Sequence, residues 1–218
     1  MNNVDQLFHA IMSGDTADAS RLLDLDPGLV NARTPSGVAV VLFSLYYGQP
    51  ALVKLFLERG AEVDIFSASG IGLTTRLKEL LDQQPDLANV EAVDGYSPLG
   101  LASFFGQEEA ALLLLSKGAQ VNRASNNPQK VMPLHSAAAG QHLGIARALL
   151  AAGAQVNARQ EGGFTPLMSA AQNGQVEIVR LFLDHGADRT AVSDDGHSAL
   201  IYAEEAGNQE VLALLQAA

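Results

Sequence analysis

Short amphipathic segments follow one another along this chain, and glycines separate them. In residues 51–57 and 176–183 the apolar side chains recur at helical spacing, so each segment would present one apolar stripe. Each segment is long enough for two or three helical turns. The pattern therefore predicts many short helices, each of which buries a single face.

A fixed glycine spacing reveals an internal repeat, and a repeat of this kind decides the whole architecture. Intervals of 11 residues separate Gly37 from Gly48, Gly95 from Gly106, Gly163 from Gly174 and Gly196 from Gly207. Intervals of 12 residues separate Gly48 from Gly60, Gly106 from Gly118 and Gly174 from Gly186. The repeating unit therefore has room for a turn followed by two short helices.

The residue types at the repeated positions agree with a hairpin, a helix and a second helix. Asp94-Gly95 is a turn dipeptide that tolerates a positive φ. Ser97-Pro98 then supplies a capping hydroxyl and a proline at the first helical position, where its missing N–H costs nothing. Gly106 and Gly118 are placed to end the two helices in a left-handed conformation.

Two segments carry a family motif. Residues 163–174 read Gly-Phe-Thr-Pro-Leu-Met-Ser-Ala-Ala-Gln-Asn-Gly, and residues 132–138 read Met-Pro-Leu-His-Ser-Ala-Ala. Both resemble ankyrin repeats, as in ankyrin repeat proteins of bacterial type, and the resemblance extends from about Val4 to Ala218. It implies an all-α ankyrin repeat solenoid of about seven helix-turn-helix units joined by short β-hairpin loops. We place units one to seven, in one domain over 1–218, at about 3–32, 33–64, 65–92, 93–125, 126–159, 160–192 and 193–218.

Some units depart from this pattern. A shift of 58 residues aligns units one and two with units three and four without a gap, which suggests that unit three is a former end cap inside the array. Unit two has neither a capping hydroxyl nor a proline around Ala39, so its first helix should begin less firmly. Unit five has Lys130 and Gln141 where glycine is expected, and two extra residues should change its hairpin.

Composition and charge exclude several classes of function. The chain has 218 residues, of which 48% are apolar, and it lacks cysteine, which removes disulfides, zinc–thiolate sites and cysteine nucleophiles. Its net charge of −11 disfavours nucleic acid. No stretch approaches the roughly 18 apolar residues of a membrane helix, and the first six residues do not resemble a secretory signal. We expect a cytoplasmic monomer that contacts no membrane.

The candidate catalytic and metal-binding residues do not converge. The resemblance implies that His135 hydrogen-bonds the backbone of a neighbouring hairpin. The remaining histidines fall in four different units without metal-ligand spacing: His9, His142, His185 and His197. The group Asp194, Asp195, His197 and Ser198 is better explained as a turn and a helix cap than as a hydrolytic triad. We expect no enzyme, no metal and no cofactor.

Aromatic side chains are the strongest binding candidates. They occur just before the glycine that ends a first helix, or just after a hairpin glycine: Tyr46, Tyr47, Tyr96, Phe104, Phe105 and Phe164. The resemblance implies that these positions lie toward the concave groove or the adjacent unit, so each has packing as an alternative role. Our leading hypothesis is a protein–protein interaction scaffold that binds a partner protein in that groove. The alternative is a regulatory subunit or inhibitor of a specific enzyme.

Overall fold

Seven pairs of short helices follow one another in the computed structural model, which describes residues 2–217. The α-helices are α1 (Asn3–Ser13), α2 (Thr16–Leu25), α3 (Val40–Tyr46), α4 (Pro50–Glu58), α5 (Ile65–Ile71), α6 (Thr74–Gln83), α7 (Pro98–Phe104), α8 (Glu108–Ser116), α9 (Pro133–Ala139), α10 (Leu143–Ala151), α11 (Pro166–Gln172), α12 (Val176–Asp184), α13 (Ala199–Glu205) and α14 (Gln209–Gln216). Three 3-10 turns span Pro27–Asn31, Pro85–Asn89 and Glu161–Gly163. The fold is the predicted helical solenoid; Ala218, the last position of unit seven, lies outside the described residues.

Five hairpin loops precede the first helices of units two, four, five, six and seven. An equivalent backbone hydrogen bond closes each loop: Thr34 to Val38, Ala92 to Tyr96, Ser125 to Val131, Gln160 to Phe164 and Ser193 to His197. The loop of unit five is two residues longer than its counterparts, which confirms its predicted departure. Within residues 2–217 these loops form only two isolated β-bridges and no regular strand.

The helix ends follow the predicted chemistry. The hydroxyls of Ser97, Thr165 and Ser198 accept hydrogen bonds from backbone N–H groups in the first turns of α7, α11 and α13. Ala39, at the start of α3, makes no such bond. Lys130 (φ 51°) and Gln141 (φ 63°) occupy the left-handed region where the other units place glycine, and they are the non-glycine residues in that region within the described chain.

The helices form two parallel rows, each of which packs along the array. The first row contains the odd-numbered helices and the second row contains the even-numbered ones. Fully buried side chains such as Leu22, Phe56, Leu99, Leu114 and Phe182 fill the space between the rows. Each unit therefore covers its apolar face with its neighbours, as a solenoid requires.

Asparagines near the ends of four units connect successive layers. Asn122 shows the arrangement: its Nδ2 donates to the Gly153 carbonyl at 3.0 Å, and its Oδ1 accepts from the Gln155 N–H at 2.8 Å. Asn89 and Asn157 make the same pair of bonds to the following units, and Asn31 accepts from the N–H of Glu62. These side chains satisfy backbone groups at the loops that follow second-row helices.

The layers fit less closely between units two and three. The buried side chains of units one and two form one cluster, and those of units three to seven form another. A small third cluster, built on Val38, Leu42 and Leu101, joins the two. Neighbouring second-row helices pack closely elsewhere in the described chain, but α4 and α6 do not. This boundary, which we call the seam, coincides with the start of the sequence duplication.

None of the helices within residues 2–217 combines the length and the apolar character that crossing a bilayer requires.

Candidate functional site

An apolar groove of about 490 Å³ lies between the hairpin loops and the first-row helices of units two to six. We call it the aromatic groove. Its lining residues are Tyr46, Asp94, Tyr96, Leu101, Phe104, Val131, His135, Ser136, Ala139, Gln160 and Ser169. Three of the six predicted aromatic residues, Tyr46, Tyr96 and Phe104, therefore meet in one place.

Two aromatic side chains of the groove occupy the same repeat position, the last residue of a first-row helix. Tyr46 ends α3 and is 36% exposed, whereas Phe104 ends α7 and is 48% exposed. The equivalent position in unit three is Gly70, where an added Cβ would lie 2.8 Å from Cδ2 of Leu45 and 3.5 Å from the Phe105 ring. The missing side chain lets the Phe105 ring reach Tyr46, with 5.9 Å between their centroids.

Asp94 lies at the tip of the unit-four hairpin, and neutral groups hold it in place. Its carboxylate accepts hydrogen bonds from the Tyr46 hydroxyl and, at 3.3 Å, from the Tyr96 N–H. The Asn127 side chain donates to the Asp94 carbonyl at 2.8 Å. Burial, and then the hydrogen bond to Asp94, raise the pKa of Tyr46 well above its ordinary value, so Tyr46 remains a neutral donor.

His135 forms part of the groove wall and is 2% exposed. Its Nε2 donates to the Phe164 carbonyl at 3.2 Å, which confirms the predicted bond to the neighbouring hairpin. Burial lowers the pKa of His135 to about 4, because the charged imidazolium would lose its hydration. At neutral pH the ring is therefore uncharged, and it acts as a structural link between units five and six.

The other three predicted aromatic residues do not line this groove. Tyr47 packs on Phe43, with 4.7 Å between the ring centroids. Phe105 lies edge-on against Phe104 at 5.1 Å and is half-buried behind it. Phe164 packs on Tyr202 at 5.0 Å and lines a separate, more open cavity beside Asp194 and Asp195. Helical rotation of about 100° per residue explains why Tyr46 and Tyr47 diverge.

Comparison with known proteins agrees with this architecture. The family model described as ankyrin repeats (3 copies) matches residues 65–160 and 134–218. The chain belongs to the ankyrin repeat family. An ankyrin repeat protein of Fowlpox virus (strain NVSL) is 27% identical over 169 residues, which cover 72% of this chain and 37% of the relative. The ankyrin repeat and SAM domain-containing protein 6 of Rattus norvegicus is 44% identical over 108 residues, covering 50% of this chain and 12% of the relative.

The chain thus spans well under half the length of these two ankyrin repeat proteins. Ankyrin repeats are, as a class, protein–protein interaction modules built on a non-enzymatic scaffold. The family therefore supports a binding role for this array in general terms, while the identity of a partner has to come from the groove itself.

The triad-like group in unit seven of the ankyrin array has a local structural role. Asp195 accepts a hydrogen bond from the Ser193 hydroxyl and pairs with His197 at 3.2 Å. The Ser198 hydroxyl accepts from the Ile201 N–H, so it caps α13. No group of three or more histidine and carboxylate side chains within the described residues is arranged to hold a metal ion.

Sequence reasoning did not select Asp94, Val131 or Gln160 as site residues of the ankyrin groove. The sequence predicts Asp94 as a turn residue, and it does occupy the turn, but it also lines the groove. Its place two residues before Tyr96 could have indicated a groove position, because Tyr96 is itself predicted to lie on the groove side. Val131 and Gln160 carry no signal in the sequence, since their place depends on how three hairpins align.

Proposed function

We propose that this ankyrin array binds a partner protein and that the aromatic groove is its main contact surface. The observation that carries the proposal is the exposure of Tyr46 and Phe104 in one apolar groove together with Tyr96. Exposed aromatic side chains in a concave patch are typical anchors of protein interfaces, because they bury much surface at little cost in side-chain entropy.

The geometry favours an extended segment or loop of the partner as the bound element. The groove runs past the hairpins of units four, five and six, and its volume of about 490 Å³ accommodates a few side chains. Its polar groups, among them Gln160 and Ser136, are placed beside apolar walls, where they would fix the register of a bound backbone.

The test is the substitution Phe104→Ala, measured as affinity for a partner recovered by affinity purification and then purified. We expect at least a tenfold loss, because truncating a central aromatic anchor costs about 2 kcal/mol. The matched control is Leu112→Ala on α8, since Leu112 has the same 48% exposure but lies in the second row of helices. Equal affinities for the two variants, with the fold intact, would reject the groove.

The same surface would serve a regulatory subunit or inhibitor of one enzyme, the alternative function. Titrating the purified protein into any enzyme recovered as a partner distinguishes an inhibitor from a simple scaffold, since only an inhibitor would abolish the turnover of that enzyme.

We also propose that the array is a monomer and acts in the cytoplasm. Its net charge of −11 opposes self-association. Light scattering at two protein concentrations tests whether the array is a monomer. The mass of a dimer at both concentrations would contradict the proposal.

A further inference from the structure

Asp94 lacks a cationic partner, whereas several other carboxylates in and beside the hairpin loops have one. Three of these carboxylates form ion pairs with arginine: Asp64 with Arg33 at 3.3 Å, Glu91 with Arg123 at 2.6 Å and Asp194 with Arg159 at 3.6 Å. Asp195 lies 3.2 Å from Nδ1 of His197, a contact that is an ion pair only when the imidazole is protonated. Asp94 forms no ion pair within residues 2–217, and its hydrogen bonds come from neutral donors. These donors carry no positive charge, so they do not compensate the charge of this half-buried carboxylate.

The surroundings of Asp94 suit a cation with an apolar stem. Tyr46, Tyr96 and Phe104 line the groove with this carboxylate, and the faces of aromatic rings attract cations. The Tyr46 hydroxyl already holds the carboxylate in one orientation, so the Asp94 side chain loses little conformational entropy when a ligand binds. The remaining wall at this point is apolar and includes Leu101 and Ala139, which could contact the methylene groups of a long side chain.

The charge distribution along the groove favours the same kind of ligand. Glu161 follows Gln160, which lines the groove, and it too forms no ion pair among the described residues. Glu161 itself lines the separate cavity beside Phe164, so Asp94 is the one of these two carboxylates that lines the groove. Lys130, on the hairpin between them, is exposed and is a single positive charge against a net charge of −11. A basic partner would be attracted both from a distance and at contact.

We propose that the aromatic groove binds a cationic side chain from a basic segment of the partner, with the charge at Asp94 and the stem among Tyr46, Tyr96 and Phe104. This inference rests on the proposed function and specifies the chemistry of the partner. A neutral apolar side chain would dehydrate Asp94 without supplying a counter-charge, which makes it the poorer ligand. The preference for a cation over a neutral analogue is therefore the property to measure.

The probes are fluorescein-labelled peptides of one glycine- and serine-rich sequence that differ only at the central residue. That residue is arginine, lysine, trimethyl-lysine or citrulline, the last being a neutral analogue of arginine. Binding is followed by fluorescence anisotropy at low and at physiological salt. We expect the tightest of the three cationic peptides to bind at least about tenfold more tightly than the citrulline peptide, and the order of the three identifies which cation the groove prefers.

The decisive variant is Asp94→Asn, because asparagine can still accept the hydrogen bond from Tyr46. We expect it to remove most of the difference between the cationic and the citrulline peptides. Glu177→Gln on α12 is the matched control, since it removes one exposed negative charge away from the groove. Equal binding of citrulline and cationic peptides would overturn the inference, and so would an equal effect of the two variants, which would indicate only a long-range field.

Failure of this inference is distinguishable from failure of the proposed function. A purified partner that loses affinity with Phe104→Ala but not with Asp94→Asn uses the groove without a cation, which rejects the inference alone. A partner that is insensitive to both substitutions rejects the groove as well.

Discussion

At the scale of single residues, the left-handed positions show how the repeat controls stability. Gln141 adopts a φ of 63°, the conformation in which the equivalent Gly48 also has a φ of 63°. A side chain in the left-handed region brings Cβ close to the following carbonyl, which costs roughly 1–2 kcal/mol. Gln141 is exposed, so nothing in its packing compensates for this cost.

We therefore expect Gln141→Gly to raise the free energy of unfolding. The gain should be about 0.5–1 kcal/mol, because the relief of strain is partly offset by the greater entropy of glycine in the unfolded chain. Urea denaturation measures it. The reverse change, Gly48→Gln, is the control: it introduces the same strain where a Cβ meets open space, and it should destabilise by about 1 kcal/mol. A neutral or destabilising Gln141→Gly would refute the explanation.

His135 gives the protein a defined pH dependence. Its folded-state pKa of about 4 lies below the unfolded value of 6.5, so the unfolded chain binds the proton first as the pH falls. Stability is then fully present above pH 6.5 and decreases between pH 6.5 and 4. The free energy of unfolding should therefore be about 2 kcal/mol lower at pH 5 than at pH 7.

The measurement compares urea denaturation at pH 7 and pH 5 for the wild type and His135→Gln. Glutamine retains an N–H donor for the Phe164 carbonyl but does not titrate. The free energy of unfolding of the variant should therefore change much less between pH 7 and pH 5 than that of the wild type. Asp82, whose pKa is lowered to about 2 by Lys117 and Lys78, acts below this window. A variant with the wild-type pH slope would show that another group is responsible.

Residue-scale prediction from sequence succeeded where the repeat itself assigns the role. The left-handed positions and the caps at Ser97 and Ser198 follow from equivalent positions in other units, and the backbone bond of His135 follows from the family motif. The groove aromatics followed only in part, because Tyr47 and Phe164 have their own partners, Phe43 and Tyr202. Which way an aromatic ring turns depends on the neighbouring unit, and a position in the repeat does not specify that neighbour.

At the scale of elements, the interunit asparagines stabilise the stack by satisfying loop backbone groups. Asn122→Ala removes two hydrogen bonds and leaves the Gly153 carbonyl and the Gln155 N–H to water or to no partner. We expect it to lower the free energy of unfolding by about 2 kcal/mol, since each bond contributes roughly 1 kcal/mol. Chemical denaturation of the variant tests this value.

Asn173→Ala is the comparison for that experiment. Asn173 is exposed, and its backbone N–H rather than its side chain makes the bond at the end of α11. Its substitution should change stability by less than about 0.5 kcal/mol. Similar losses for Asn122→Ala and Asn173→Ala would mean that the interunit bonds contribute nothing specific.

The hairpin turns and the helix caps could be located from the sequence because turn and cap chemistry is local. The roles of Asn89, Asn122 and Asn157 could not be located in this way, although a shift of 58 residues also aligns Asn31 with Asn89. Their partners lie about 30 residues further along the chain, and only the stacking of units brings them together.

At the scale of the whole molecule, the seam separates two clusters of buried side chains. Unit two ends on Asp64, which caps α5 instead of reaching the next layer as the asparagines do. Across the seam, burial depends largely on Val38, Leu42 and Leu101. In a solenoid, stability is close to a sum of unit and interface contributions, so the weakest interface separates first.

We expect units one and two to open before units three to seven. Native-state hydrogen exchange in increasing urea should show amides of α2 and α4 losing protection at lower urea than amides of α8 and α10. Leu42→Ala should widen this difference, because it weakens the joining cluster. One common urea dependence for all four helices would show that the array unfolds as a single cooperative unit.

The seam also connects stability to binding, because the aromatic groove crosses it. Tyr46 belongs to unit two, whereas Asp94 and Phe104 belong to unit four, so opening the seam removes Tyr46 from the groove. A ligand that needs all three residues stabilises the closed array by an amount set by its concentration relative to its Kd. Saturation with a groove ligand should therefore raise the hydrogen-exchange protection of amides in α2 and α4 toward that of amides in α8. A ligand that binds only units five to seven would leave the difference in protection between these helices unchanged.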